Sequence, residues 1–544
     1  MLTALLLALT PVQQSQSAQA QPPEKHNSLE LRTAAGVIGL DLTEEEAELA
    51  LRDVVENLES FRRLRGLALD NTVAPVLSFS PTLLSISAHH PRAGALRGVA
   101  RSLPGPKRPD KLDDLAYADI PTLAALIRSK QVSCLELTEM FLARLERVDA
   151  KLACVVSLLP ERARLQAMAL DGELAEDDWR GLLHGIPWGA KDLLAVKGAP
   201  TTWGAEPYRE QVLESDAAVV ERLDQAGAVL IAKLSLGALA MGDVWYGGTT
   251  KNPWKLEQGS SGSSAGPAAA VAAGGVAFAI GSETCGSILS PASRCGASAL
   301  RPTFGRVSRR GAMALSWSMD KLGPLCRTLD DAAIVLGAIS GPDPLDEESV
   351  ARAYSDPGPA EVRGLRVGFV EQSFGGEADE LELLASLEQL GCELVPVQVP
   401  DAGAGDLFFV LSAEAAAAFD ELTRSGRDDL LGRQGADAWP NIFRASRLIP
   451  AVEYIQANRA RRALIEQVET LFDGIDVLVH PAREHLVAFN LSGHPSACAP
   501  WKLRDDGTPR SVAFSAGLFQ EARLLAVALA WQRAGNYHQV HPDL

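Results

Sequence analysis

Apolar residues recur at helical spacing from Ser133 to Val148 (SCLELTEMFLARLERV), and that spacing predicts a helix. A second case is cleaner. Ser215 or Asp216 caps a helix whose Val219, Val220 and Leu223 form one stripe, and Gly227 stands at its stop position. The run Ala228 to Ala232 (AVLIA) follows at once as a strand. The same grammar returns downstream: a helix over 377–390, Gly391 as its stop, and a strand over 393–399. Short apolar runs at 365–370 and 475–479 read as buried strands, and the alanine-rich patch at 413–419 reads as helix. Helices alternating with short apolar strands predict an α/β domain with helices over a central sheet.

The pattern changes upstream of about residue 113. Thr43 caps an acidic helix that runs to about Arg65, and a stretch punctuated by proline follows from Pro75 to Pro109. Residues 21–112 are read as an N-terminal extension, helix plus irregular arm, and 113–544 as one domain. At the start, the apolar run Leu2 to Leu9 leads through Gln and Ser to Ala18, Gln19 and Ala20. Residues 1–20 are therefore read as a signal peptide, although no Lys or Arg precedes Lys25. Export to the periplasm or exterior is the expectation, and the cytoplasm if the segment is not cleaved. No later segment reaches the ~18 uninterrupted apolar residues of a membrane span, so stable membrane insertion is not expected.

Composition narrows the function classes. The chain has 544 residues, 47% apolar and 22% charged, with a formal charge of -18. That acidity argues against a nucleic-acid partner. The basic run Arg306 to Arg310 reads as solvated turns. Seven scattered cysteines form no CxxC pair, and whether Cys285 and Cys295 pair is left open by spacing. Nine histidines form no metal-binding motif, and His480 and His485 are not in H-E-x-x-H order, so neither metal nor cofactor is expected.

The candidate chemistry lies between Gly259 and Ser293. Gly259 to Gly266 (GSSGSSAG) is a loop of small residues, and Pro267 with a run of alanines starts a short helix that stops at Gly274 and Gly275. A buried strand over 276–280 and a turn over 281–287 (GSETCGS) follow. Two look-alikes are set aside as nucleophile motifs. Ser264 sits in a G-x-S-x-G match, but the residues before it (252–258) read as loop where a nucleophile elbow needs a buried strand. Ser318 and Lys321 match S-x-x-K without the companion motifs of that class.

Taken together, the segment resembles the amidase signature family of Ser-Ser-Lys hydrolases, whose bridging serine follows a cis peptide. Gly185 to Asp192 (GIPWGAKD) looks like the family's lysine motif, followed by Thr201 to Gly204 (TTWG). Ser263 stands 24 residues before Ser287, the interval usual between bridging serine and nucleophile. Arg301 to Gly305 (RPTFG), Gly323–Pro324, Asn490 to Pro495 (NLSGHP) and Gly517 to Glu521 (GLFQE) continue the match. The resemblance implies one α/β domain with a mixed twisted sheet surrounded by helices. It implies Ser287 as nucleophile, Ser263 as relay, Lys191 as neutral base, and backbone N–H groups of Thr284, Cys285, Gly286 and Ser287 as the oxyanion hole. The implied activity is amide hydrolysis through an acyl-enzyme, on a small-molecule linear amide.

Three residues depart from the family pattern. Glu283 replaces an Asp, Cys285 replaces the first of two glycines, and Leu289 replaces an Arg that would pair with the carboxylate at 283. These departures motivate a second expectation, a catalytically impaired amidase-like binding protein. A third is the glutaminase (A) subunit of a tRNA-dependent amidotransferase, which the resemblance also covers. Six tryptophans (Trp179, Trp188, Trp203, Trp245, Trp254 and Trp317) suit an apolar substrate group or the core equally. A homodimer is left open, as is the role of residues 21–112.

Overall fold

A computed structural model describes residues 26–65, 71, 103, 105, 107–373, 378–400 and 403–544. The signal-peptide reading of residues 1–20 and most of the proline-punctuated arm lie outside the described residues. The chain forms two compact units, residues 1–69 and 70–544. In the first, helices span Ser28–Val37 and Glu44–Arg65. Each is capped by a reciprocal pair: Asn27 with Glu30, and Thr43 with Glu46.

The second unit is built on a mixed sheet. Its first strands are β1 (Val155–Leu158), β2 (Pro187–Lys191) and β3 (Val229–Leu234). Two small hairpins follow, β4 (Val244–Trp245) with β5 (Gly248–Thr249), and β6 (Lys251–Asn252) with β7 (Lys255–Gly259). The sheet continues with β8 (Phe278–Glu283), β9 (Ser298–Arg301), β10 (Lys321–Cys326), β11 (Arg366–Phe369) and β12 (Glu393–Pro396). It closes with β13 (Val477–Pro481), β14 (Ser496–Leu503) and β15 (Pro509–Ser515). The order is β1-β3-β2-β8-β10-β9-β14-β15-β13-β11-β12. Parallel pairs join β2 to β3 and β8, and β11 to β12 and β13; the other pairs are antiparallel.

The central strands β2, β3, β8, β9 and β10 are buried along their whole length, so helices must cover both faces. The helix Ala265–Ala272 is buried at all eight positions. Its small side chains let it lie close to the sheet, and a Cβ on Gly266 would fall 2.4 Å from the Cys154 carbonyl oxygen. The helix Cys134–Leu152 is opened by a capping box between Ser133 and Glu136 and buries Leu137, Phe141, Leu145 and Val148 as one face. Among the described residues no helix is long and apolar enough to cross a membrane.

Several boundaries differ from the sequence reading. The helix expected from Ser215 or Asp216 begins at Ala218, with Ala217 as an N-cap that has no side-chain bond. Asp216 is committed elsewhere, accepting from Lys197 N at 2.8 Å. Gly227 does take the left-handed stop conformation, φ +84. The strand predicted over 276–280 starts at Phe278 and runs on to Glu283, because β10 pairs with it as far as Lys321. The residues before Ser264 are not loop throughout, since Lys255–Gly259 is a strand, though a half-exposed hairpin one. The basic run is not solvated. Arg306 is buried against Glu521 at 2.8 Å and the Phe519 ring, while Arg309 pairs with Glu348 and Arg310 with Asp343.

Candidate active site

Lys191 ends β2 and is fully buried. Because β2 has a parallel neighbour on each side, its last residue is carried into the middle of the sheet's edge where loops converge. Its Nζ lies 2.7 Å from Ser263 Oγ, 2.8 Å from Ser282 Oγ, 3.1 Å from Ser264 Oγ and 3.4 Å from the Ser282 carbonyl oxygen. Burial lowers its pKa to about 7, against the opposing pull of the Asp320 and Glu283 carboxylates. The next residue, Asp192, is paired with the buried Lys233 at 2.7 Å and accepts from Thr202 N, so it supplies no close countercharge to Lys191.

Ser263 sits between β7 and the helix Ala265–Ala272, after a cis peptide at Gly262–Ser263. Only glycine fits before it, because a Cβ on Gly262 would fall 1.8 Å from the Gly242 carbonyl oxygen. Asp243 holds the approach by accepting from Ser261 N at 2.9 Å. The loop is tied to the second serine segment by Ser264 N donating to the Ser287 carbonyl at 3.0 Å.

Ser287 lies between β8 and the helix Leu289–Cys295, is part-exposed, and its hydroxyl has no hydrogen-bond partner among the described residues. The backbone N–H groups of Cys285, Gly286 and Ser287 likewise have no acceptor among the described residues. Such a row of free donors is what an incoming anionic oxygen requires. Within the loop only Gly286 has a positive φ, +90, so the side chain at Cys285 meets no left-handed backbone. Cys285 and Cys295 are both free thiols.

The carboxylate at 283 does have a guanidinium partner. Arg301, not residue 289, reaches Glu283 Oε1 at 2.8 Å, and Asn490 Nδ2 donates to the same oxygen at 2.8 Å. Glu283 Oε2 accepts from Ile288 N and Leu289 N, the start of the helix that follows Ser287. Burial alone would raise its pKa, but Arg301 and these donors hold it at about 2, so Glu283 is ionised. Arg301 is itself anchored on the His494 carbonyl and Ser496 Oγ. On the other side of the loop, Thr284 Oγ1 donates to Asp320 at 2.6 Å.

Sequence reasoning thus placed Lys191, Ser263 and Ser287 in segments that meet. It missed Ser282 and Ser264 as neighbours of the lysine, and Arg301 as the partner of Glu283. No sequence signal pointed to Ser282: the register pairs Ala190 with Ile280, so alternation alone would turn Ser282 away from the lysine's face. Of the tryptophans, Trp188 stacks on Phe278 in the core and Trp254 Nε1 donates to the Cys295 carbonyl. Trp317 lines a cavity of about 600 Å³ with Leu193, Met313 and Leu322, and Ser282 and Thr284 form part of its wall. His480 and His485 pack on each other and on Phe489. Among the described residues no three His, Cys, Asp or Glu side chains gather as a metal site.

A mixed sheet under helices thus brings a buried lysine among serine hydroxyls, beside a row of N–H groups with no acceptor among the described residues. The family model for amidases matches residues 136–487. The glutamyl-tRNA(Gln) amidotransferase A-subunit of Gloeobacter violaceus is 31% identical over 479 residues, 78% of this chain and 98% of its own. That of Coxiella burnetii is 32% identical over 472 residues, 77% of this chain and 97% of its own. Among solved structures, the peptide amidase of Stenotrophomonas maltophilia superposes with a TM-score of 0.71 at 27% identity, covering 79% of this chain and 99% of its own. The chain belongs to the amidase family, whose members hydrolyse amides.

Proposed function

We propose that the chain hydrolyses a linear carboxylic amide through an acyl-enzyme on Ser287. The observation that carries this reading is the neutral-prone Lys191, buried 2.7 Å from Ser263 Oγ. Ser287 Oγ attacks the carbonyl carbon and passes its proton to Ser263 Oγ, which gives its own to Lys191 Nζ. The carbonyl oxygen becomes an oxyanion facing the free N–H groups at 285–287, with Thr284 as the residue that opens the loop. The tetrahedral intermediate expels the amine, which leaves with the relayed proton. Water then attacks the acyl-enzyme along the same path in reverse and regenerates Ser287. Ionised Glu283 and negative-φ Cys285 weigh against the impaired, binding-only reading, because neither distorts the loop.

Stoichiometric labelling of Ser287 by a fluorophosphonate, absent in Ser287→Ala, tests it. An unlabelled wild type, or equal turnover of aryl and alkyl amides by both proteins, overturns it. A second reading, the glutaminase subunit of a tRNA-dependent amidotransferase, is favoured by the names of the relatives at 31–32% identity. Ammonia release from glutamine together with co-purification of a partner protein supports that reading. Processing at residue 20, as in an exported protein, excludes it.

A further inference from the structure

Lys321 is buried like Lys191 and Lys233, 2% exposed, but unlike Lys233 it pairs with no carboxylate among the described residues, and the triad chemistry does not use it. It opens β10 directly across from Glu283 of β8. Glu283 is nevertheless taken by Arg301, so register does not yield an ion pair. The Lys321 amine faces two carbonyl oxygens instead, Thr284 at 3.5 Å and Asn490 at 3.4 Å. Neither carbonyl has another donor among the described residues. Burial pushes the Lys321 amine well below the usual lysine range, and Arg301 adds to the push.

The peptide joining Thr284 to Cys285 is planar, so the direction of its C=O fixes that of its N–H. Donation to the carbonyl also polarises the peptide and makes the N–H a stronger donor. Asp320 holds the same residue from its side chain, accepting from Thr284 Oγ1 at 2.6 Å. The second acceptor, Asn490, is the residue whose side chain steadies Glu283.

We propose that Lys321 is a positioning residue for the oxyanion loop: it holds the Thr284 carbonyl so that the Cys285 N–H points at the oxyanion. The proposal rests on the reading of Ser287 as nucleophile, which fluorophosphonate labelling of the wild type tests by itself. With that control in hand, Lys321→Met removes the donors at similar side-chain length. Its kcat is expected to fall on the order of tenfold with KM unchanged, less than for outright loss of an oxyanion donor. Labelling slows by a similar factor yet still reaches one probe per chain. Lys321→Gln keeps an N–H donor at shorter reach, and its kcat is expected between those of Lys321→Met and the wild type. Should the Met variant not fold, a lowered kcat at unchanged KM in the Gln variant supports the proposal. A kcat and labelling rate within twofold of wild type overturn it, as does a loss confined to KM or one that tracks the loss of folded protein.

Discussion

Burial lowers the Lys191 pKa to about 7, and the groups that touch its amine are hydroxyl and carbonyl oxygens. Its neutral form is the one able to take a proton, so kcat/KM is expected to rise with pH through about 7 and then level. A pH–rate profile checks this, and Lys191→Ala should abolish turnover while leaving the protein folded. Glu283 has the opposite character. Its pKa is depressed from 4.5 to about 2, so its stabilisation is fully present above about 4.5 and is lost as pH falls toward 2. Glu283→Gln strands Arg301 as a buried, uncompensated charge and is expected to cost roughly 3–5 kcal/mol in urea denaturation at neutral pH. A loss below about 1 kcal/mol would mean that Arg301 finds another partner.

At the level of elements, two turns tolerate no side chain. Gly262→Ala drives a Cβ into the Gly242 carbonyl, and Gly286→Ala puts one at φ +90. Both should lower the labelling rate of Ser287 far more than they lower the thermal midpoint, since the strain falls on the serine loops. Ser133→Ala, remote from the site, removes half of a capping box and should cost about 1 kcal/mol with kcat unchanged. What could be read from sequence follows the range of the forces involved. The stripe Val219, Val220, Leu223 and the stop at Gly227 are local, and they appear where spacing puts them. The ends of strands are not local: β8 runs to Glu283 only because β10 continues beside it. Arg301 as the partner of Glu283 was illegible for the same reason, since its side chain must cross from β9 past β10. The run at 306–310 misled because charge density does not reveal that Glu521, Glu348 and Asp343 wait inside the fold.

For the molecule as a whole, Lys191, Ser263 and Ser287 all belong to the unit from Asp70 to Leu544, which has a continuous core of its own. A chain beginning at Asp70 is therefore expected to label at Ser287 as the full chain does, checked by probe stoichiometry. A labelling-dead but folded truncation would assign residues 1–69 a part in the site. The strand order carries a further consequence. β9, which bears Arg301, lies between β10 and β14, and the anchors of that arginine are the His494 carbonyl and Ser496 Oγ. The ribosome thus makes every catalytic candidate by residue 287, yet the bed beneath Ser287 stays open until some two hundred further residues have emerged. On the reading of Ser287 as nucleophile, a half-made chain carries the candidate groups without the anchors of Arg301, so activity is expected only once the segment around Asn490 to Glu521 has been made.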